Sequence, residues 1–468
     1  MPHRVKTWGN AWADVRRAFS DFLAVPTFTV LVFILFAFGT YLLDRNPVVW
    51  LEPTRRFLQN HVVVDPSATA ALLGSIAGGL LTLTSITFSL LLLAIQQSAS
   101  ALTSQVLDQF LRRRLNQMYF GVFVGISLYA LVILATTNTH VSPVFGATFT
   151  LLLTLVALSV LVLLLYTTLN QMRPTRIIQA IHDLTLAARR RELTLLARTR
   201  RAPTLYNAAA TVLVRSRNNG YVAGIRLDRI GHATAATSAE VEVVLLVSMG
   251  DFVSYNDLIA EVHTQSHDAG QQIALEVCRA VDLERQRDFR IDSGFGIMQM
   301  ENIGWTSVSS SKSNPAPGIA AVREIRDLLA RWSEQHEPTC EPSELVPVVY
   351  EDTVMRQAID AIVSLGVAAS ESMQHQSAAE VIRAFAILFD RLPTDAQSYA
   401  EDAILRLISS LGDHVLTAEL DGSITKMIAA LNAAGKNDTS ATLGAARREL
   451  AQSIGVLNSR GTRVPERN

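Results

Sequence analysis

The chain opens with long apolar stretches and ends in amphipathic text. From Pro66 to Leu107 there are 42 residues without a formal charge, and from Leu115 to Met172 another 58, interrupted only by His140. A hydrocarbon core of about 30 Å needs roughly 20 apolar helical residues, so the second stretch is long enough for two spans. Its break is the polar turn Asn138-Thr139-His140-Val141-Ser142-Pro143. Spans are expected near residues 27–43, 68–95, 119–137 and 144–169. The fold class that follows is an α-helical polytopic membrane protein with four transmembrane helices. A cytoplasmic α+β region comes next, with a small β-barrel-like part and a C-terminal helical bundle. The corresponding division is an N-terminal segment 1–26, a membrane domain 27–172, a basic juxtamembrane helix 173–203, a β-containing domain 204–318 and a helical domain 319–468.

Within the second span, Ser75, Gly78, Thr82, Ser85, Ser89 and Gln96 recur at intervals of three, four or seven, which places them on one stripe of a helix. Such a stripe in lipid has two physical uses: close helix packing with interhelical hydrogen bonds, or the wall of a water-filled path. No Asp, Glu, Lys or Arg falls inside the expected spans, which disfavours a charge-coupled proton relay.

Charge adds orientation. The whole chain, with 41 basic and 42 acidic residues, is nearly neutral, and a nucleic-acid partner is not expected. The sum hides +4 before Arg173 and −5 from Arg173 onward. Arg4, Lys6, Arg16 and Arg17, then Arg112, Arg113 and Arg114, then Arg173, Arg176 and Arg189–Arg191 all fall on one side of a four-span chain. The positive-inside rule puts both termini in the cytoplasm of an inner-membrane protein. Arg112, Arg113, Arg114, Arg173 and Arg176 become candidates for contact with lipid headgroups.

In the polar two-thirds, Glu240–Val247 and Tyr221–Ile225 read as strands. Gly250-Asp251-Phe252-Val253 followed by Asn256-Asp257-Leu258 is similar to the turn-and-strand text of biotinyl and lipoyl carriers, but no lysine lies between Lys6 and Lys312, which excludes a covalently loaded carrier. His263 and His267 have metal-like spacing in what reads as a loop, without a third ligand. Cys278 and Cys340 form neither a CxxC pair nor a disulfide framework. Residues 291–318, rich in Gly, Ser, Asn and Pro, read as a loop region, and Val354–Leu457 as amphipathic helices broken at Pro393, Gly412, Gly422 and Gly435. Neither a GxSxG elbow nor a Walker A motif occurs, so no enzyme activity, cofactor or metal is expected.

Three segments resemble a bacterial family of predicted membrane proteins, domain of unknown function 2254. They are Gly74-Ser75-Ile76-Ala77-Gly78 through Ser89 to Gln96; Gly250-Asp251-Phe252-Val253; and Arg287, Asp292, Phe295, Gly296 and Ile297, running on to Ser309 and Ser313-Asn314-Pro315. The last departs from the family's Leu-Ser-Pro…Asn-Asp-Pro pattern by having Ser310 for the first proline and Ser313-Asn314 for Asn-Asp, so the pattern's acidic residue is missing. The resemblance implies architecture over roughly residues 20–330, and marks Arg287, Asp292, Ser309 and Asn314 as candidates for a cytoplasmic ligand or interface site. The expectation is a homo-oligomeric channel-like pore for an ion or small solute, with membrane lipids as partners. The alternative is a membrane-anchored sensor or scaffold that binds a cytoplasmic ligand or partner.

Overall fold

A computed structural model describes residues 23–46, 49–101, 114–137, 143–171, 173–204, 209–310, 314–334 and 345–452, without the side chains of 90–101, 114–116, 167–171 and 413. The chain divides into two compact units, meeting in sequence at Arg173/Pro174.

In the first unit α1 (Ala24–Arg45) is followed by a short 3-10 turn and α2 (Glu52–His61), then α3 (Pro66–Ala101), α4 (Arg114–Thr136) and α5 (Val144–Gln171). Four of these helices, α1, α3, α4 and α5, are long and apolar enough to cross a membrane, near the positions that the hydropathy pattern predicts. The 138–142 turn lies outside the described residues.

Helix α4 is the hub, packing against α1, α3 and α5. Its Tyr119, Phe123, Ile126, Tyr129 and Ile133 fill the core with Leu73 and Leu80 of α3 and Ala157 of α5. Small residues set the α1–α4 approach: a Cβ on Gly121 would fall 2.8 Å from Thr29 Cβ and 2.9 Å from Pro26 Cα, and one on Gly125 would enter the Phe33 ring. Without a hydrophobic drive between helices in lipid, such close contact is what holds them together.

The second unit begins with α6 (Pro174–Ala197), whose buried face runs Ile178, Ile181, His182, Thr185, Ala188, Arg189, Glu192, Leu193 and Leu196. Its Arg176, Arg190 and Arg191 are exposed, while the buried face packs on α9 (Ser293–Val308) and α10 (Ala316–Glu334).

The β-barrel-like part is corrected to two sheets that do not close. One has the order β1 (Ala210–Arg215), β5 (Leu258–Thr264), β3 (Val241–Leu245), β7 (Val348–Val349); the other β4 (Phe252–Val253), β2 (Gly220–Ile225), β6 (Val281–Glu284). β3 is antiparallel to β5, with Val243 opposite Val262, and parallel to β7, with Val243 opposite Val348. Val243, Ile259, Val262 and Val222 meet Ile230 of α7 (Leu227–Ala235) and Val277 of α8 (His267–Ala280) in one core. Around β4 the chain makes the same turn twice: the Ser248 and Ser254 amides each donate to the carboxylate three residues on, Asp251 and Asp257, at 2.7 Å. Gly250 (φ 86°) and Asn256 (φ 71°) take the left-handed position in each, a conformation that Gly and Asn tolerate best.

The loop expected over 291–318 is also corrected, because most of it is α9. Small residues, poor helix formers in isolation, are retained where neighbours press closest: a Cβ on Gly304 would stand 2.9 Å from both Ala321 and Leu365. The remainder is helical: α11 (Val354–Glu371), α12 (His375–Leu388), α13 (Thr394–Ser410), α14 (Ala418–Ala433) and α15 (Asn437–Gln452).

Candidate functional sites

On α3, the inward face is Leu73, Ala77 and Leu80. Ser75, Gly78, Thr82, Ser85 and Ser89 are exposed on the first unit. Three of the hydroxyls donate within the helix: Ser75 to the Ala71 carbonyl at 2.9 Å, Thr82 to Gly78 at 2.9 Å and Ser89 to Ser85 at 3.0 Å. A Cβ added at Gly74, Gly78 or Gly79 meets nothing within 4 Å. The stripe therefore does not pack against its own bundle; Gly121 and Gly125 of α4 do that. The Gln96 side chain, Arg112, Arg113 and the Arg114 side chain lie outside the described residues, while Arg173 and Arg176 are exposed.

The expected spans contain no charge, but α1 runs two residues further and includes a buried Asp44. Its two carboxylate oxygens accept from the Phe145 and Gly146 amides at 2.9 Å each. Those amides belong to the first turn of α5, whose N–H groups have no partner inside the helix; the negative charge also suits the helix dipole. Nearby, the Tyr129 hydroxyl reaches Thr40 Oγ1 at 3.1 Å.

In the second unit, Arg287 and Asp292 are brought together. Arg287 Nε donates to Asp292 Oδ2 at 2.6 Å and Nη2 to Oδ1 at 2.9 Å. Asp292 is also the N-cap of α9, accepting from the Phe295 amide at 2.8 Å. The guanidinium lies over the Phe295 ring. Glycines provide the room: a Cβ at Gly250 would strike both members of the pair, one at Gly294 the Gln357 side chain, and one at Gly296 Thr185 Oγ1. Thus the Gly-Asp-Phe-Val turn and the Arg287–Ile297 segment, far apart in sequence, close on one ion pair.

The adjoining network escaped the sequence reading. The Ser293 amide and hydroxyl donate to Glu192 at 2.9 and 2.5 Å. Arg189 reaches Glu192 at 3.3 Å and grips Asp352 at 3.0 and 2.5 Å. Burial pushes the Glu192 carboxyl above its usual range, and the bonds from Ser293 and Arg189 offset this only in part. Burial acts on Asp352 in the same direction, but the Arg189 guanidinium more than reverses it. A signal existed, since Arg189 and Glu192 stand at helical spacing from Ile178, Ile181, Thr185 and Ala188 and so belong to the apolar face.

Ser309 and Asn314 are not part of this cluster. They follow the other end of α9, whose 16 residues span about 24 Å at 1.5 Å per residue. Both are exposed. Asn314 Oδ1 accepts from the Ala316 amide at 3.0 Å and its carbonyl from Ser307 at 2.5 Å, so it shapes the start of α10. His263 meets Glu261 at 3.1 Å within β5, whereas His267 opens α8 and bonds Gln271 at 3.1 Å.

No curated protein and no solved structure matches the chain. A family model described as predicted membrane protein, DUF2254, matches residues 20–378. That stretch contains all four apolar helices, both sheets and the Arg287–Asp292 pair. The chain therefore belongs to the predicted membrane protein family DUF2254.

Proposed function

We propose that this multi-span membrane protein forms a homo-oligomeric, channel-like pore in the inner membrane, with α3 lining the axis and the second unit acting as a cytoplasmic regulatory domain. The observation that carries the reading is the outward direction of the Ser75–Ser89 face. Leu73, Ala77 and Leu80 already provide α3 with its contacts inside the bundle, so the hydroxyl and glycine face is left for other copies of the chain or for water. Hydroxyls whose protons are held by their own helix still present oxygen lone pairs outward, which suits a hydrated cation better than an anion.

The test is single-channel recording on purified protein in bilayers, paired with native mass spectrometry. A ring-forming oligomer whose conductance falls in Ser85→Leu and Ser89→Leu supports the pore. A monomer silent under every ligand and tension applied rejects it. The sensor reading draws on the buried, multi-element joint around Asp292. It expects Ser85→Leu and Ser89→Leu to be silent while Asp292 variants lose function.

A further inference from the structure

A cleft of about 810 Å³ opens in the second unit between the β1–β2 turn, the end of β6 and the C-terminal end of α8. Five arginines line it: Arg217, Arg226, Arg229, Arg279 and Arg285. Three are already engaged. Arg226 pairs with Asp282 at 2.7 Å, and Arg229 and Arg279 share Glu276 at 2.6 and 2.8 Å. Arg217 and Arg285 make no ion pair or hydrogen bond among the described residues. Counting Glu276 with the lining Asp282 and Glu284, the five guanidiniums face three carboxylates, an excess of two positive charges.

The sheet register explains why the unpaired arginines share one wall. β2 and β6 run antiparallel with Tyr221 opposite Glu284. Arg285 therefore leaves the sheet at the end where Arg217, Asn218 and Asn219 turn into β2. The apolar lining residues are Ile259 and Val281, both buried in the core, and the half-buried Leu283.

We propose that this cleft binds a small phosphorylated ligand of the nucleoside diphosphate type, with the phosphates on Arg217 and Arg285 and the apolar portion against Leu283. Guanidinium forks match phosphate oxygens in geometry and charge. The half-buried Leu283 in the lining favours a ligand with a ring or hydrocarbon part over a bare anion. The same chemistry is offered by a phospholipid headgroup, so both sources enter the test. The site lies wholly within the second unit and does not depend on α3 lining a pore.

Full-length protein in phosphatidylcholine nanodiscs is titrated calorimetrically with ADP, with inorganic pyrophosphate and with dihexanoyl phosphatidylglycerol. Saturable binding that weakens with salt is expected, with ADP ahead of pyrophosphate if the ligand is free and the short-chain lipid ahead of both if it is a headgroup. Arg217→Ala/Arg285→Ala loses about tenfold or more in affinity, and Arg217→Lys/Arg285→Lys loses less. Arg448→Ala, an exposed arginine on α15, is unchanged. Thermal midpoints of all variants serve as the folding control. No saturable binding of any probe up to about 1 mM, equal binding by the double alanine variant, or binding of a short oligonucleotide in place of the small probes each overturns the proposal.

Discussion

Arg287 and Asp292 grip each other through two parallel hydrogen bonds of 2.6 and 2.9 Å, and the same carboxylate caps the helix that begins one residue later. The carboxylate is almost wholly buried, at 3% exposure. Two of the four residues marked as ligand or interface candidates thus satisfy each other and fasten the Gly250 turn to α9. Removing one partner leaves a buried charge alone. Asp292→Ala is expected to destabilise the second unit by about 3–5 kcal/mol, and Arg287→Lys, which keeps charge but not the fork, by less. Urea unfolding followed by tryptophan fluorescence reads this; a loss below about 1 kcal/mol would place the pair among weak surface bridges.

Glu192 and Asp352 flank Arg189 but differ in sign. Asp352 is held below its ordinary value of 3.8, so its contribution is present above that value and is lost as pH falls through the lower, folded one. Glu192 is raised above its ordinary 4.5. The folded state binds that proton more readily, so its share of stability is greatest at or below 4.5 and declines as pH rises through the raised value. Thermal melts across the acid range are expected to show Glu192→Gln flattening the slope above 4.5 and Asp352→Asn flattening the slope below 3.8. Unchanged slopes in both variants would remove the two carboxyls from the linkage.

Glycines of the first unit separate into two kinds. A Cβ at Gly125 already enters the Phe33 ring, so Gly125→Leu is expected to reduce folded protein severely, while a Cβ at Gly78 meets nothing within 4 Å and Gly78→Leu is expected to leave the single chain folded. Overpacking costs typically 1–3 kcal/mol or more. Yield of monodisperse protein in detergent measures the first effect; oligomer mass and conductance measure the second. Equal tolerance at both positions contradicts the assignment of the α1–α4 seam.

Asp44 satisfies two amides of α5 that are otherwise without acceptors. Asp44→Ala is expected to cost about 1–3 kcal/mol for each buried donor left unpaired, and Asp44→Asn, which keeps one acceptor oxygen, to lie between. Unfolding in mixed micelles gives the ranking, and Asn behaving worse than Ala would be inconsistent with a capping role.

The apolar runs of the sequence sufficed to place the four long helices, because a span needs only length and hydropathy. Local alternation likewise located β2 and β3, and Gly250 and Asn256 marked the two turns. What tertiary structure decided was direction and partnership. Ser75, Thr82 and Ser89 have the spacing of a stripe in any helix, but whether it faces in or out depends on where α4 sits, and only the packed bundle turns it outward. The small-residue seam proved to be Gly121 and Gly125, which the eye passes over in an unbroken apolar run. The glycines and serines of 293–308 suggested a loop because helix propensity is local, whereas the closeness that favours them comes from α6, α10 and α11. Arg287 meeting Asp292, and Glu192 meeting Ser293, are facts of chain folding over five and 101 positions. Spacing along a sequence carries the first only weakly and the second not at all.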